Sequence, residues 1–284
     1  MRDERQEFPP GVPCWVDTAQ PDPEAAARFY GDLFGWEFQN RMARGYFVAQ
    51  LGGRDVAAIG SQPDGDPQTP TWNTYIAVDS ADDAVVRAES AGGRVLSEPF
   101  DVSDAGRMGV FADPAGAVFC VWQANKRKGA EVVNAAGSWN WSNLNTGDLE
   151  GAKSFYGAVF GWEFDTLDFG GGTTVLCRLP GYGQFLEAFD PDLLTRQAKA
   201  GAPSGFEDAV AWMVALPRDR SAEAVSSHWS VTFSVADTDA IVEGAVQLGG
   251  RVVVPALDTP PVRVAVLSDP QGAEFTVSRF APAG

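Results

Sequence analysis

Asp17 has the clearest chemical potential in this 284-residue chain. It stands in the run PCWVDT (13–18), which reads as a short strand. Strand side chains alternate between faces, so Asp17 and Trp15 share one face. A carboxylate beside an indole wall needs a partner or a raised proton affinity, and such a group can serve as a general acid or base. The plainer alternative is a carboxylate bonded to a neighbouring backbone turn. His228 is the one histidine in the sequence, and imidazole is a side chain suited to proton transfer near neutral pH. A lone histidine ahead of a strand also serves as an ordinary structural residue. These two are the candidate catalytic residues. Trp15, Trp72, Trp141 and Trp229 recur at matching places, either as core or as aromatic walls that stack on a flat ligand. Glu37 and Glu163 sit in identical GWEF contexts, which favours a structural role.

The elements that must position these residues are duplicated. FYGDLFGWEF (29–38) and FYGAVFGWEF (155–164) share eight of ten residues at an offset of 126, so internal repetition organises the chain. Around the first copy, strand 13–18 is followed by a helix. Asp22 can cap that helix, Pro23 suits its first position, and Phe29, Tyr30, Leu33 and Phe34 form its apolar stripe. Gly35 can end it in a left-handed turn. Strands follow from Trp36, at 45–51 and at 55–60, with a turn at Gly52-Gly53. After a loop (61–70) the order recurs: strand 72–78, helix 80–91, and strands near 94–97, 107–111 and 117–123. Residues 124–137 form a polar linker, and from 138 the pattern restarts with Asn143 opposite Asp17. WSVTFSVADTDAIVEGAVQLGGRV (229–252) then matches 72–95, and SDPQGAEF (268–275) matches ADPAGAVF (112–119). The offset has grown to about 157, which places an insert of some thirty residues within roughly 188–227. That insert holds a helical run, PDLLTRQAKA, and an apolar run, DAVAWMVAL, and suits a lid or an extra edge element. The expected division is a flexible arm (1–10), a first domain (11–125), a linker (126–137) and a second domain (138–281).

Composition narrows the partners. A net charge of −17 and a pI near 4.3 disfavour nucleic acid and anionic membranes. No apolar run reaches the length of a membrane span, and the first residues lack an apolar signal region. Cys14, Cys120 and Cys177 are odd in number and widely spaced, which fits a reducing compartment and a cytoplasmic protein.

Four strand-helix-three-strand modules, PDPEAAARFYGDLFGWEF, GDLEGAKSFYGAVFGWEF, and DPxG turns at 113–116 and 269–272 together resemble the vicinal-oxygen-chelate superfamily of glyoxalases, bleomycin-resistance proteins and extradiol dioxygenases. Within it the chain looks most like duplicated actinobacterial glyoxalase-like proteins. The resemblance implies an α+β fold in which four βαβββ modules pair into two domains, each an open curved mixed sheet forming a cup. It also locates the positions that hold a divalent metal in relatives. Here they are Trp15, Asn73 and Cys120 in the first half, and Trp141, Ser230 and Thr276 in the second. None supplies the carboxylate and imidazole that such an ion takes. Glu187 falls about where a third strand would offer a ligand. His228 and Glu274 are each displaced by two strand residues, about 6.6 Å, from a ligand position.

The expectation is therefore a protein without metal or other cofactor. Its cups are lined by Trp15, Trp72, Asn73 and Cys120 on one side and by Trp141, Asn143, Glu187, Trp229, Ser230 and Thr276 on the other. The ligand would be a flat, largely apolar molecule such as a polyketide-like metabolite. Asp17 and His228 would transfer protons in a cyclisation, dehydration or isomerisation. The alternatives are a sequestering protein of the bleomycin-resistance kind, whose acidic surface suits cationic ligands, and a metal-dependent lyase or dioxygenase. A monomer or a homodimer is expected.

Overall fold

A computed structural model describes residues 8–42, 45–62, 69–168, 173–188, 190–216, 226–259 and 261–280. Residues 1–7 of the expected arm and 63–68 of the expected loop lie outside them. In the first half, β1 (Pro13–Gln20), α1 (Pro23–Phe34), β2 (Glu37–Met42), β3 (Tyr46–Leu51) and β4 (Arg54–Ser61) form one module. β5 (Trp72–Ala77), α2 (Ala81–Ser90), β6 (Arg94–Val102), β7 (Gly106–Ala112) and β8 (Val118–Ala124) form the next. Their eight strands make one sheet in the order β2-β3-β4-β1-β5-β8-β7-β6.

The second half repeats the plan. Its elements are β9 (Ser138–Thr146), α3 (Leu149–Phe160), β10 (Glu163–Asp168), β11 (Thr173–Arg178), the short helices α4 (Tyr182–Glu187) and α5 (Leu193–Lys199), and β12 (Ala209–Ala215). Then come β13 (His228–Ser234), α6 (Thr238–Gln247), β14 (Arg251–Thr259), β15 (Val262–Ser268) and β16 (Glu274–Phe280). The second sheet runs β10-β11-β12-β9-β13-β16-β15-β14. Both sheets are mixed and open. The protein is α+β, with two eight-stranded sheets flanked by helices. Among the described residues no helix is long and apolar enough to cross a membrane.

The helices form where the sequence directs them. Asp22 accepts the Ala25 N–H at 2.9 Å, Pro23 opens α1, and Gly35 closes it at φ 72°. Asp148 and Gly161 do the same for α3. The insert was expected to be a lid or an extra edge element, but its apolar run is not at a sheet edge. It is β12, an interior strand between β11 and β9, occupying the place that β4 holds in the first sheet. Residues 179–208, with α4 and α5, replace the two-residue turn Gly52-Gly53, so the duplicated strand was displaced along the sequence rather than in space.

Compactness divides the chain differently from the sheets. One unit joins residues 15–74, 129–141 and 230–284, largely the first and fourth modules (the outer-module unit). The other joins 1–14, 75–128 and 142–229, largely the second and third (the inner-module unit). The repeated motifs explain this crossed assembly. In the outer-module unit Tyr30 of α1 donates to Asp269 Oδ2 at 3.0 Å and accepts the Trp72 indole N–H at 3.1 Å. In the inner-module unit Tyr156 of α3 donates to Asp113 Oδ2 at 3.2 Å and accepts from Trp229 at 2.9 Å. Each aspartate's other oxygen takes two backbone amides and so closes its DPxG turn. The tryptophans of the two FGW runs donate to glycine carbonyls, Trp36 to Gly137 at 2.7 Å and Trp162 to Gly11 at 2.8 Å. Close packing completes the joint. A Cβ on Gly93 would lie 2.6 Å from the Phe155 ring, and one on Gly250 would lie 2.8 Å from the Ser268 carbonyl.

Candidate functional site

The strongest polar cluster lies wholly in the outer-module unit. Asp17 is central in β1, buried to 6% exposure, and in register with Ala58 of β4. Its Oδ2 accepts the Tyr46 hydroxyl at 3.0 Å, and its Oδ1 accepts the Asn73 side-chain amide at 2.9 Å. The Trp15 indole N–H points at the same Tyr46 oxygen over a long 3.4 Å. Alternation along β1 thus delivers Trp15 and Asp17 to one face. Tyr46 opens β3 and brings its phenol to that face. A glycine on the neighbouring strand makes the room, since a Cβ on Gly60 would stand 3.1 Å from the Tyr46 ring. Buried carboxylates need such donors.

Tyr46 was not legible as a partner of Asp17. Its counterpart across the repeat is Thr174, so the duplication gives no hint of it. The signal that could have found it is the three-strand register of β3, β4 and β1, which needs the fold.

The four tryptophans separate into two pairs. Trp72 and Trp229 belong to the core, with rings set edge-on to Tyr30 (5.3 Å, 85°) and Tyr156 (5.6 Å, 82°). They are 4% and 5% exposed, and each lies next in sequence to a residue on the opposite strand face, Asn73 and Ser230 respectively. Trp15 is buried within the Asp17 cluster. Trp141 is half-buried at the equivalent place in β9.

The remaining expected residues scatter. Asn143, half-buried in the inner-module unit, is in register with Trp212 of β12, where Asp17 has Ala58. Trp212, unforeseen from the sequence, leans on Phe206 at 6.2 Å. Asn143 therefore faces a bulky ring where Asp17 faces a methyl. His228 begins β13, half-buried, with Nδ1 at 2.8 Å from the Ser226 carbonyl. It belongs to the inner-module unit and Asp17 to the outer. Glu187 is not on a third strand: it ends α4, because the long β11–β12 connection folds into helices there. Ser230 and Thr276 are half-buried on β13 and β16.

Cys120 is buried in β8, in register with Tyr75. Burial drives the Cys14 and Cys177 thiols far above their ordinary range, which removes them as thiolate nucleophiles. The hydroxyls of Tyr30 and Tyr156 are likewise pushed well up, by burial first and then by the adjacent aspartate, so both stay neutral donors.

The six positions matching the superfamily's metal ligands present two indoles, an amide, a thiol and two hydroxyls. That donor set does not fit a divalent ion that takes carboxylate and imidazole. Among the described residues, no group of three His, Cys, Asp or Glu side chains comes together to hold one.

The family described as "Glyoxalase-like domain" matches residues 15–122 and 141–278. The chain is 37% identical over 285 residues to "Putative glyoxylase CFP32" of Mycobacterium tuberculosis, covering 98% of each. It is 36% identical over 291 residues to "Anthracycline biosynthesis protein DnrV" of Streptomyces peucetius, covering 95% of this chain and 94% of that protein. In fold it is similar to the Mn(II)-bound glyoxalase of Novosphingobium aromaticivorans, with a TM-score of 0.58, 16% identity, and coverage of 95% of this chain and 82% of that one. It is also similar to 2,2',3-trihydroxybiphenyl 1,2-dioxygenase of Sphingomonas wittichii, with a TM-score of 0.59, 14% identity, and coverage of 95% and 91%.

Proposed function

The chain belongs to the glyoxalase-like domain family, and from that premise we propose that it is a metal-independent tailoring protein for flat, polycyclic aromatic metabolites. One observation carries the reading: a buried carboxylate, Asp17, held between a phenol and an amide and flanked by an indole, two of its neighbours (Trp15 and Asn73) standing at positions that match the superfamily's metal ligands. Asp17 takes a proton from a ring carbon next to a carbonyl, and the negative charge passes to the carbonyl oxygen. Returning the proton to a different carbon completes an isomerisation; attack of the enolate carbon on a second carbonyl gives an alkoxide that takes the proton back from Asp17 in a cyclisation; and loss of a β-hydroxyl, protonated by Asp17 as it leaves as water, gives dehydration. None of these needs an ion or a redox partner. Tyr46 and Asn73 fix the carboxylate, and the Trp15 ring orients a planar substrate by stacking. The likeness to an anthracycline biosynthesis protein over nearly the whole chain supports a polycyclic aromatic substrate.

A second reading has its own observation. Both oxygens of Asp17 already carry a donor, as suits a carboxylate that shapes a binding surface without turning anything over. Quenching of tryptophan fluorescence by 1,8-dihydroxyanthraquinone, in protein treated with a chelator, tests the shared element of both readings. Saturable quenching by wild type supports them, and its absence counts against both. A binding-only protein keeps its ligand and shows no product with any enolisable aromatic ketone.

A further inference from the structure

The two sheets end on strands of common descent but different character. β6 is an edge of the first sheet and β14 of the second, and the repeat sets Arg94–Val102 against Arg251–Thr259. Along β6 exposed residues alternate with half-buried ones as far as Phe100, and its centre is Ser97-Glu98. β14 has Val254-Pro255 there, and all its residues but Ala256 are exposed. Val252, Val253, Val254 and Leu257 are between 37% and 45% exposed. Polar and charged residues on an edge strand keep other chains off it. The second edge has exchanged that protection for an apolar strip. We propose that β14 is where two copies of this chain associate, lying antiparallel across a twofold axis.

The layout of charge selects a second copy as the occupant. Arg251 stands at one end of the strip and Asp258 near the other, with no charge between them. Laid antiparallel on itself, the strip brings each arginine towards Asp258 of the second copy, whereas a parallel arrangement sets like charge on like. The neighbouring strands agree. β14, β15 and β16 together carry three arginines against one aspartate and one glutamate, in a chain of net charge −17. Two acidic copies can therefore meet at this edge without the repulsion that their net charge imposes.

The contact is made by side chains, not by a hydrogen-bonded ladder running from sheet to sheet. Pro255 has no N–H to give, and the register of β14 on β15 shifts between Val252 and Val254 and again between Val254 and Leu257. Nine residues are also few beside the roughly 20–30 a side of a standard interface. The dimer is accordingly weak and depends on concentration.

Sedimentation velocity of the full chain from about 1 µM to about 1 mM tests this. Monomer should give way to dimer and to nothing larger. Val253→Asp should raise the dissociation constant at least about tenfold, because association would bury an unpaired charge. Leu96→Asp, at the equivalent place on β6 and 51% exposed, should change it less than about twofold. The double variant Val254→Ser, Pro255→Glu gives β14 the centre that β6 already folds with, so its loss of association, again at least about tenfold, reports contact rather than fold; circular dichroism checks that the fold is intact. Arg251→Glu should weaken the dimer about fivefold at low salt and less at high salt. A chain that stays monomeric throughout, growth beyond the dimer, equal loss in Leu96→Asp and Val253→Asp, or indifference to the double variant overturns the interface. So does a monomer that instead pellets with phosphatidylcholine vesicles. Indifference to Arg251→Glu overturns the antiparallel arrangement.

Discussion

Removing one hydroxyl from each repeated FY pair should cost unequal amounts, and the inequality can be worked out from the contacts. Tyr156→Phe deletes a bond to Asp113 Oδ2 and leaves the buried Trp229 N–H without its acceptor. An orphaned buried donor costs about 1–3 kcal/mol, and a lost bond to a carboxylate adds to that, for a total of about 2–4 kcal/mol. Tyr30→Phe does the same to Trp72, but Asp269 Oδ2 keeps the Gln20 amide at 2.8 Å. Its cost should be smaller by about 1 kcal/mol. Guanidinium unfolding followed by tryptophan fluorescence and circular dichroism gives both values, the two probes also testing whether the units unfold together. If both variants lie within about 0.5 kcal/mol of wild type, or if Tyr30→Phe is the worse, the crossed Tyr–Asp–Trp joint is not what holds the modules together.

Three further outcomes are expected. Gly250→Ala forces a Cβ to within 2.8 Å and 2.9 Å of two backbone carbonyls and should cost about 3 kcal/mol, against about 1 kcal/mol for Gly35→Ala, where only the positive φ of 72° resists; thermal denaturation ranks them. Burial raises the Asp113 pKa above the usual carboxylate value. A raised acid binds its proton more tightly when folded, so its contribution is full below the unfolded pKa of about 3.9 and is lost as pH rises through the folded one. The stability of Asp113→Asn relative to wild type should therefore improve as pH rises through that acidic window, and a flat difference in urea midpoints would refute the burial argument. Added Mn(II) should leave the melting temperature of chelator-treated protein unchanged, because a bound ion in excess would raise it by mass action.

Much of the fold was readable because local signals and repetition agreed. Asp22, Pro23 and Gly35 marked the helix, and its second copy confirmed the frame. The partnership of Tyr30 with Asp269 was not readable, since 239 residues separate them and either DPxG turn could have served. Trp72 and Trp229 recur in the sequence much as Trp15 and Trp141 do, but strand alternation turns them to the helix side. β12 was hidden because two helices replaced a two-residue turn. In the candidate cluster, the shared face of Asp17 and Trp15 was legible from strand alternation, whereas Tyr46 came from another strand and had no repeat to flag it.

Hydrogen–deuterium exchange into 1-tetralone, a flat aromatic ketone with enolisable protons, tests proton transfer by Asp17 most directly. Chelator-treated wild type should accelerate exchange next to the carbonyl above the buffer rate, and Asp17→Asn should lose at least about a hundredfold of that acceleration. Exchange as fast in Asp17→Asn as in wild type, exchange that appears only when a divalent metal is restored, or no acceleration by wild type would each contradict it.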